Sequence, residues 1–159
     1  MSRFLAPSEF IDRIGEREAA SIAGTGGFNT LEGRSIDIDE VTRELNHAED
    51  LVSGYVLGQH PWLRDTDIAD VPDLLKGFTS DITRYRLRDK AGNAGQITET
   101  VETRYRDAIK MLQDIQRGKL DLIRVGSAAG DPPEAINSDE RAQISGPAPT
   151  VDATLKGWM

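Results

Sequence analysis

The chain has no cysteine, only two histidines, few aromatic residues and no long apolar run. Without cysteine it can form no disulfide and offers no thiolate for catalysis, and its redox compartment is left open. No segment approaches the roughly 20 apolar residues that a membrane-spanning helix needs, and the first residues hold no apolar run of signal-peptide length. We therefore expect a soluble protein that is made and used in the cytosol.

Positive charge is also in short supply. The 159 residues include 27 acidic and 19 basic side chains, which gives a formal net charge of −8. Proteins that bind nucleic acid by neutralising its phosphates gather an excess of Lys and Arg, so this balance disfavours such a partner. An acidic surface would instead repel DNA, which suits a protein past which DNA must slide.

Familiar catalytic and metal-binding motifs are missing as well. The two histidines, His47 and His60, do not have the spacing of a zinc protease, and His47 lies among acidic residues in a pattern typical of a solvated helix face. Asp37-Ile-Asp39 lacks the later residues of a calcium loop and is better explained as helix capping. GTGGFNT, which begins at Gly24, lacks the lysine of a phosphate-binding loop and is typical of a turn. We expect no cofactor, no metal and no enzymatic activity.

Hydrophobic periodicity predicts a mainly α fold, namely a small four-helix domain over residues 1–125. Ser8 is the expected N-cap of the first helix, Gly15 is expected to bend or break it, and Gly118 is expected to cap the last helix. Residues 24–36 are predicted to be a loop, and residues 120–125 alternate briefly, as an extended segment does. The four helices are expected at about Pro7 to Ala23, Asp37 or Asp39 to Gly58, Asp73 to Lys90 directly after Pro72, and Thr98 to Arg117.

Each predicted helix carries apolar residues at helical spacing, which indicates one buried face per helix. The expected buried faces are Phe10, Ile11 and Ile14; then Val41, Leu45, Ala48, Leu51 or Val52, and Tyr55; then Leu74, Leu75, Phe78, Ile82 and Tyr85; and lastly Val101, Tyr105, Ile109, Leu112 and Ile115.

The composition changes after residue 125. Gly, Ala, Ser, Pro and acidic residues dominate residues 126–159, which cannot bury enough apolar surface to offset the entropy of ordering. We predict an extended C-terminal tail in which residues 127–151 are disordered in isolation or lie along a partner. Its last residues are expected to bind that partner, although the tail folding back onto its own domain is an alternative. The expected anchors are Leu155, Lys156, Trp158 and Met159.

The predicted third helix ends in a basic run of Arg84, Arg86, Arg88 and Lys90. At two-residue spacing these side chains point around the helix and do not form one stripe. The favoured interpretation is a set of surface ion pairs, with Asp81, Asp89 and Asp107 as nearby partners. The alternative is that the three arginines bind acidic patches on neighbouring subunits, and we include them among the candidate partner-binding residues.

Three segments together resemble a known family. They are VTRELNHAEDLVSGYV, VPDLLKGFTSDITRYRLRD and ETRYRDAIKMLQDIQRGKLDL, and the opening PSEFIDRIGERE and the terminal Leu-Lys-Gly-aromatic fit too. This combination resembles the head–tail joining proteins of Mu-like phages and prophages. The matching positions are Gly54 and Tyr55; Pro72, Leu74 and Leu75; Asp81, Ile82, Arg84, Tyr85 and Leu87; and Arg104, Tyr105, Ala108, Leu112, Ile115, Gly118, Lys119 and Leu120.

The resemblance implies a helical connector, or adaptor, in the virion. Such proteins form a ring beneath the portal, commonly a dodecamer, extend the DNA channel and present a surface to the stopper or neck protein. The implied partners are the portal protein, the stopper and sister subunits, with genomic DNA passing through unbound and no membrane involved. The implied location is the head–tail junction, after assembly in the host cytoplasm, and we expect the free protein to be a monomer.

Two other functions stay open from the residues alone. The first is a small DNA-binding regulator that uses Arg84, Arg86 and Arg88 on its third helix. The acidic balance and the long linker before that helix disfavour it, because a helix-turn-helix joins its helices by roughly 3–4 residues. The second is an enzyme with an unrecognised site, for which the sequence offers no positive sign.

Overall fold

Helices account for most of the residues that the structure describes. The computed structural model describes residues 4–25, 35–92 and 96–124. The mainly α fold is confirmed, and none of the described helices is long and apolar enough to cross a membrane. The elements are α1 (Pro7–Ile14), α2 (Glu16–Ile22), β1 (Gly24–Thr25), β2 (Ser35–Ile36), α3 (Ile38–Val56), α4 (Asp73–Lys90) and α5 (Glu99–Gln116), with short 3₁₀ helices at Pro61–Arg64 and Ile68–Asp70.

Gly15 divides the first predicted helix into α1 and α2, so the expected break is confirmed. Its backbone has φ 88° and ψ 141°, a conformation that glycine adopts readily and other residues avoid.

The N-cap prediction for Ser8 is wrong, because Ala6 occupies that position and Pro7 opens the helix. Proline suits the first helical position, where its missing N–H leaves no hydrogen bond unmade. The third predicted helix has the bounds of α4, and Pro72, expected to suit its first turn, is its N-cap.

A two-stranded ribbon follows α2, where the sequence predicts only a loop. Gly24 pairs with Ile36 and Thr25 with Ser35 in antiparallel register. A Cβ atom at Gly24 would lie 2.0 Å from the carbonyl oxygen of Ala20, so glycine alone fits where the chain passes the end of α2. Strands of two residues are too short for an alternating pattern, which is why the sequence did not reveal them.

α3 begins and ends close to where the sequence predicts. Asp37 is its N-cap, and the Asp37 carboxylate accepts a hydrogen bond of 3.0 Å from the backbone N–H of Glu40. The helix ends at Val56. Of the two alternatives for the buried face, Val52 lies in the core and Leu51 is exposed.

α4 contacts α1, α3 and α5. Leu75 and Ile82 are fully buried as predicted, whereas Leu74 is exposed. Thr79 and Thr83 are also fully buried, and their hydroxyls donate to backbone carbonyls one turn earlier at 2.9 and 2.7 Å. Because these hydroxyls bond within the helix, their burial leaves no hydroxyl without a hydrogen-bond partner.

Both ends of α5 are capped. Thr98 is its N-cap, and the Thr98 hydroxyl accepts from the backbone N–H three residues on. At the other end Gly118 has φ 67°, as the predicted C-terminal cap requires. Its N–H donates to the carbonyl of Ile115 at 2.9 Å, while the N–H of Lys119 donates to Asp114 at 2.9 Å. This pair of bonds is a Schellman motif, which turns the chain sharply out of the helix.

The core consists of two clusters of buried side chains. The larger joins α3, α4 and α5 and also takes in residues outside these three helices, namely Phe4, Leu63, Val71 and Leu122. The smaller joins α1 and α2 to α3 and α4 through Leu5, Phe10, Ile22, Ala23, Val41, Leu45 and Leu87.

Residues 118–124, which we call the strap, leave α5 and pack back on the domain. Residues 121–124 form no strand, so the extended segment predicted there is not a strand in the described part of the chain. Leu122 is nevertheless buried in the larger core cluster.

Candidate functional site

The basic run of α4 divides between two sides of the helix, because residues two apart point about 200° apart. Arg84 and Arg88 lie on one side and hold Glu18 of α2. The Nε and Nη2 atoms of Arg84 lie 2.5 and 2.7 Å from the two carboxylate oxygens of Glu18, in the fork geometry typical of strong Arg–carboxylate pairs. Nη2 of Arg88 lies 2.8 Å from Oε1 of the same carboxylate. We call this group the Glu18 clamp.

The other two cations of the run hold Glu44 of α3. Nε of Arg86 lies 2.8 Å from Oε2 of Glu44, and Nζ of Lys90 lies 3.4 Å from Oε1. Lys90 also contacts Glu40, one turn earlier in α3. We call Glu44, Arg86 and Lys90 the Glu44 clamp. The two clamps therefore tie α4 to α2 on one side and to α3 on the other.

Each clamp lowers the pKa of its glutamate. Burial alone would raise the pKa of Glu18, but the hydrogen bonds and charges of its two arginines outweigh burial and hold this pKa below the ordinary value of 4.5. Burial also opposes ionisation of Glu44, and the two cations of its clamp lower its pKa in the same way. Both carboxylates are therefore ionised at neutral pH and strengthen the helix contacts.

The basic run forms ion pairs as predicted, but its salt-bridge partners are Glu18, Glu40 and Glu44 and not the predicted aspartates, although the charge of Arg84 also acts on Asp81. Asp81 lies 3.9 Å from Arg104 and Asp107 lies 3.8 Å from Lys110, so both pair elsewhere. The carboxylates that the arginines use come from other helices, 66 and 42 positions away in the chain. Residues close in the sequence therefore do not reveal these carboxylates. The four-residue spacing of the cations in each clamp does indicate which cations lie on the same side of α4. Binding of these arginines to another subunit stays a prediction.

Glu49 fastens the segment that precedes α1. Its Oε1 atom accepts hydrogen bonds from the backbone N–H groups of Phe4 and Leu5, at 2.8 and 3.0 Å. Both of these residues are fully buried, and Glu49 itself is 4 % exposed. The sequence predicts a solvated face around His47, and that residue is exposed, but Glu49 two positions later belongs to the interior. A contact with residues 44 and 45 positions away leaves no local pattern.

His60 differs from His47 in its surroundings. It is 8 % exposed, and its Nε2 atom is buried without a hydrogen-bond partner. Burial lowers the pKa of His60 from the ordinary value of 6.5, and the charge of Asp121 partly opposes this shift. Within residues 4–25, 35–92 and 96–124, no group of three or more His, Cys, Asp or Glu could hold a metal ion.

A pocket of about 210 Å³ lies between the end of α2, the start of α3 and the end of α4. Its polar side chains already serve the fold. Asp37 caps α3, and Glu40 contacts Lys90. We assign no ligand to this pocket.

The predicted tail anchors lie outside the described residues. The described part of the chain ends at Arg124, so the domain boundary at residue 125 and the extended tail stay predictions. The same holds for binding by Leu155, Lys156, Trp158 and Met159.

Comparison with known proteins gives one match. The family model described as Bacteriophage Mu, Gp36 matches residues 4–140. This range contains every described helix and strand and extends into the predicted tail. No curated protein and no solved structure matches the chain.

Proposed function

Because the chain belongs to the bacteriophage Mu Gp36 family, we propose that it is a head–tail connector, or adaptor, of a phage virion. In this role copies of the chain form a ring, most simply a dodecamer, beneath the portal protein. The ring extends the DNA channel and joins the capsid to the stopper or neck protein. The family match over residues 4–140 is the observation that carries the proposal, since it makes this a phage protein. The role is structural and uses no catalysis and no cofactor.

The charge distribution supports a channel through which DNA passes without being held. The net charge is −8, and the basic run of α4 is already engaged with Glu18, Glu40 and Glu44. Arginines that hold carboxylates of their own chain offer no free row of cations to phosphates. Genomic DNA would therefore slide past the ring without sequence-specific contacts.

The same contacts count against a DNA-binding regulator built on α4. Arg84 and Arg88 face Glu18 and not the solvent side of α4. The connection from α3 to α4 spans residues 57–72, far longer than the roughly 3–4-residue turn of a helix-turn-helix. A gel shift at low salt is expected to show no complex with duplex DNA.

The connector role is tested by imaging particles of the phage or prophage that encodes the chain. Deletion of the gene is expected to give DNA-filled or leaking heads without tails, beside free tails. Normal tailed particles from the deletion would contradict the proposal.

The tail anchors are tested in the same experiment with a version that stops after Thr150. If Leu155, Trp158 and Met159 are anchors, this version gives the same tailless heads. Alanine in place of those three residues is expected to reproduce the defect, whereas alanine in place of Asp152 and Thr154 is expected to leave tailed particles. Normal assembly after the truncation would show that the anchors are dispensable. The connector role would then still be tested by deletion of the gene.

A further inference from the structure

His60 lies at the corner where the chain leaves α3 and enters the Pro61–Arg64 helix. Its backbone N–H donates to the carbonyl of Val56 at 2.8 Å, and its carbonyl accepts from the N–H of Leu63 at 3.2 Å. The ring of Trp62 meets the imidazole edge-on, with 6.2 Å between ring centroids. The imidazole is therefore fixed in place while its Nε2 atom has no hydrogen-bond partner.

The strap reaches the same corner. Leu122 belongs to the core cluster that also contains Leu63, and the Arg124 guanidinium carbon lies 5.7 Å from the centroid of the Trp62 ring. The side-chain amide of Gln59 donates to the last carbonyl of α5 at 3.2 Å. Residues 121–124 belong to no helix or ribbon, so fewer contacts must break to lift the strap than to open any helix.

We propose that His60 is a proton-operated latch, in which the neutral imidazole keeps the strap packed and the imidazolium releases it. A buried imidazolium would carry an N–H at Nε2 with no hydrogen-bond acceptor and a charge removed from water, and both are costly. Lifting the strap exposes the ring to water and removes that cost. The proposal goes beyond the connector role and does not depend on it.

The direction of the pH dependence follows from the packed and released forms. In the packed form burial holds the pKa of His60 below 6.5, while a solvated ring in the released form titrates near the ordinary value. The released form therefore binds the proton more readily, and release is favoured as the pH falls below 6.5. Among the described residues, Asp121 of the strap is the charged group that acts on this pKa, and it favours the protonated ring. Asp121→Asn is thus expected to increase release at a given acidic pH, because without this charge the pKa of His60 in the packed form falls further.

Hydrogen–deuterium exchange of the full chain, corrected for the intrinsic effect of pH, tests the latch. From about pH 7.5 to about pH 5 we expect strap opening to rise about tenfold, a change of about 1.4 kcal/mol in the opening equilibrium, while α4 stays protected. His60→Gln and His60→Phe cannot titrate and should make strap protection independent of pH. His47→Gln is the matched control, because it removes the exposed histidine, and it should keep the wild-type transition.

Several results would overturn the proposal. One is a wild-type strap that stays protected at about pH 5. Another is a strap that loses protection with falling pH in both His60 variants as it does in the wild type. Simultaneous loss from α3, α4 and α5 would mean global unfolding and not release. If neither variant folds, the wild-type ring is followed by NMR, and titration of His60 without a change in the strap signals would refute the latch.

Discussion

At the scale of single residues, Glu18 is a carboxylate that two arginines share. Its carboxylate receives four N–H groups, two from Arg84 and two from Arg88. Glu18→Gln removes the negative charge and leaves two partly buried guanidinium groups side by side. We expect the free energy of unfolding to fall by about 1–3 kcal/mol, measured by urea denaturation at pH 7.

Glu16 provides the control for this substitution, because it lies in the same helix, is exposed and takes part in none of the ion pairs of the described residues. Glu16→Gln is expected to change the free energy of unfolding by less than about 0.5 kcal/mol. Equal losses from the two variants would show that the Glu18 clamp contributes nothing specific.

Two glycines are predicted to respond in opposite directions to alanine. At Gly24 the new Cβ would lie 2.0 Å from a backbone oxygen, so the ribbon or α2 must shift, and we expect a loss of about 1–3 kcal/mol. At Gly54, inside α3, a Cβ meets nothing within 4 Å, and Gly54→Ala should gain about 0.5–1 kcal/mol from helix propensity. Thermal unfolding of both variants tests these predictions. A Gly24→Ala protein as stable as the wild type would contradict the close contact between Gly24 and the Ala20 carbonyl.

At the scale of elements, the two clamps make the attachment of α4 dependent on pH. The pKa values of Glu18 and Glu44 are lower in the folded chain than the ordinary 4.5, so their stabilisation is complete above that value. It is lost as the pH falls from 4.5 through the folded pKa values, because the unfolded state then binds more protons.

In the wild type, the urea concentration at the midpoint of unfolding should therefore decrease as the pH is lowered through this acid range. The slope should be shallower in Glu18→Gln, which has one fewer of these carboxylates. A slope unchanged by this substitution would show that Glu18 does not titrate with a shifted pKa.

The helices were more predictable than the contacts between them. The long helices follow from periodic apolar residues and from caps such as Asp37 and Gly118, which act within a few positions. The ribbon and the partners of the arginines depend on residues brought together only by folding. For the same reason Glu44 and Glu49 resemble surface acids in the sequence, although tertiary contacts bury them.

At the scale of the whole molecule, the net charge of −8 opposes association of copies of the chain. Like-charged copies repel most strongly at low ionic strength, and the repulsion is screened over about 8 Å at physiological salt. We expect sedimentation velocity to show a monomer at low salt and increasing self-association as salt is added. Stable rings at low salt without portal protein would contradict this expectation.

The clamps also have a consequence for how relatives of this chain diverge. Because Glu18 serves two arginines at once, a substitution at position 18 alters the surroundings of both Arg84 and Arg88. Positions 18, 84 and 88 should therefore change together in evolution, as should 44, 86 and 90. Positions 84 and 86 are closer neighbours in the chain but belong to different clamps, so their histories should be uncoupled.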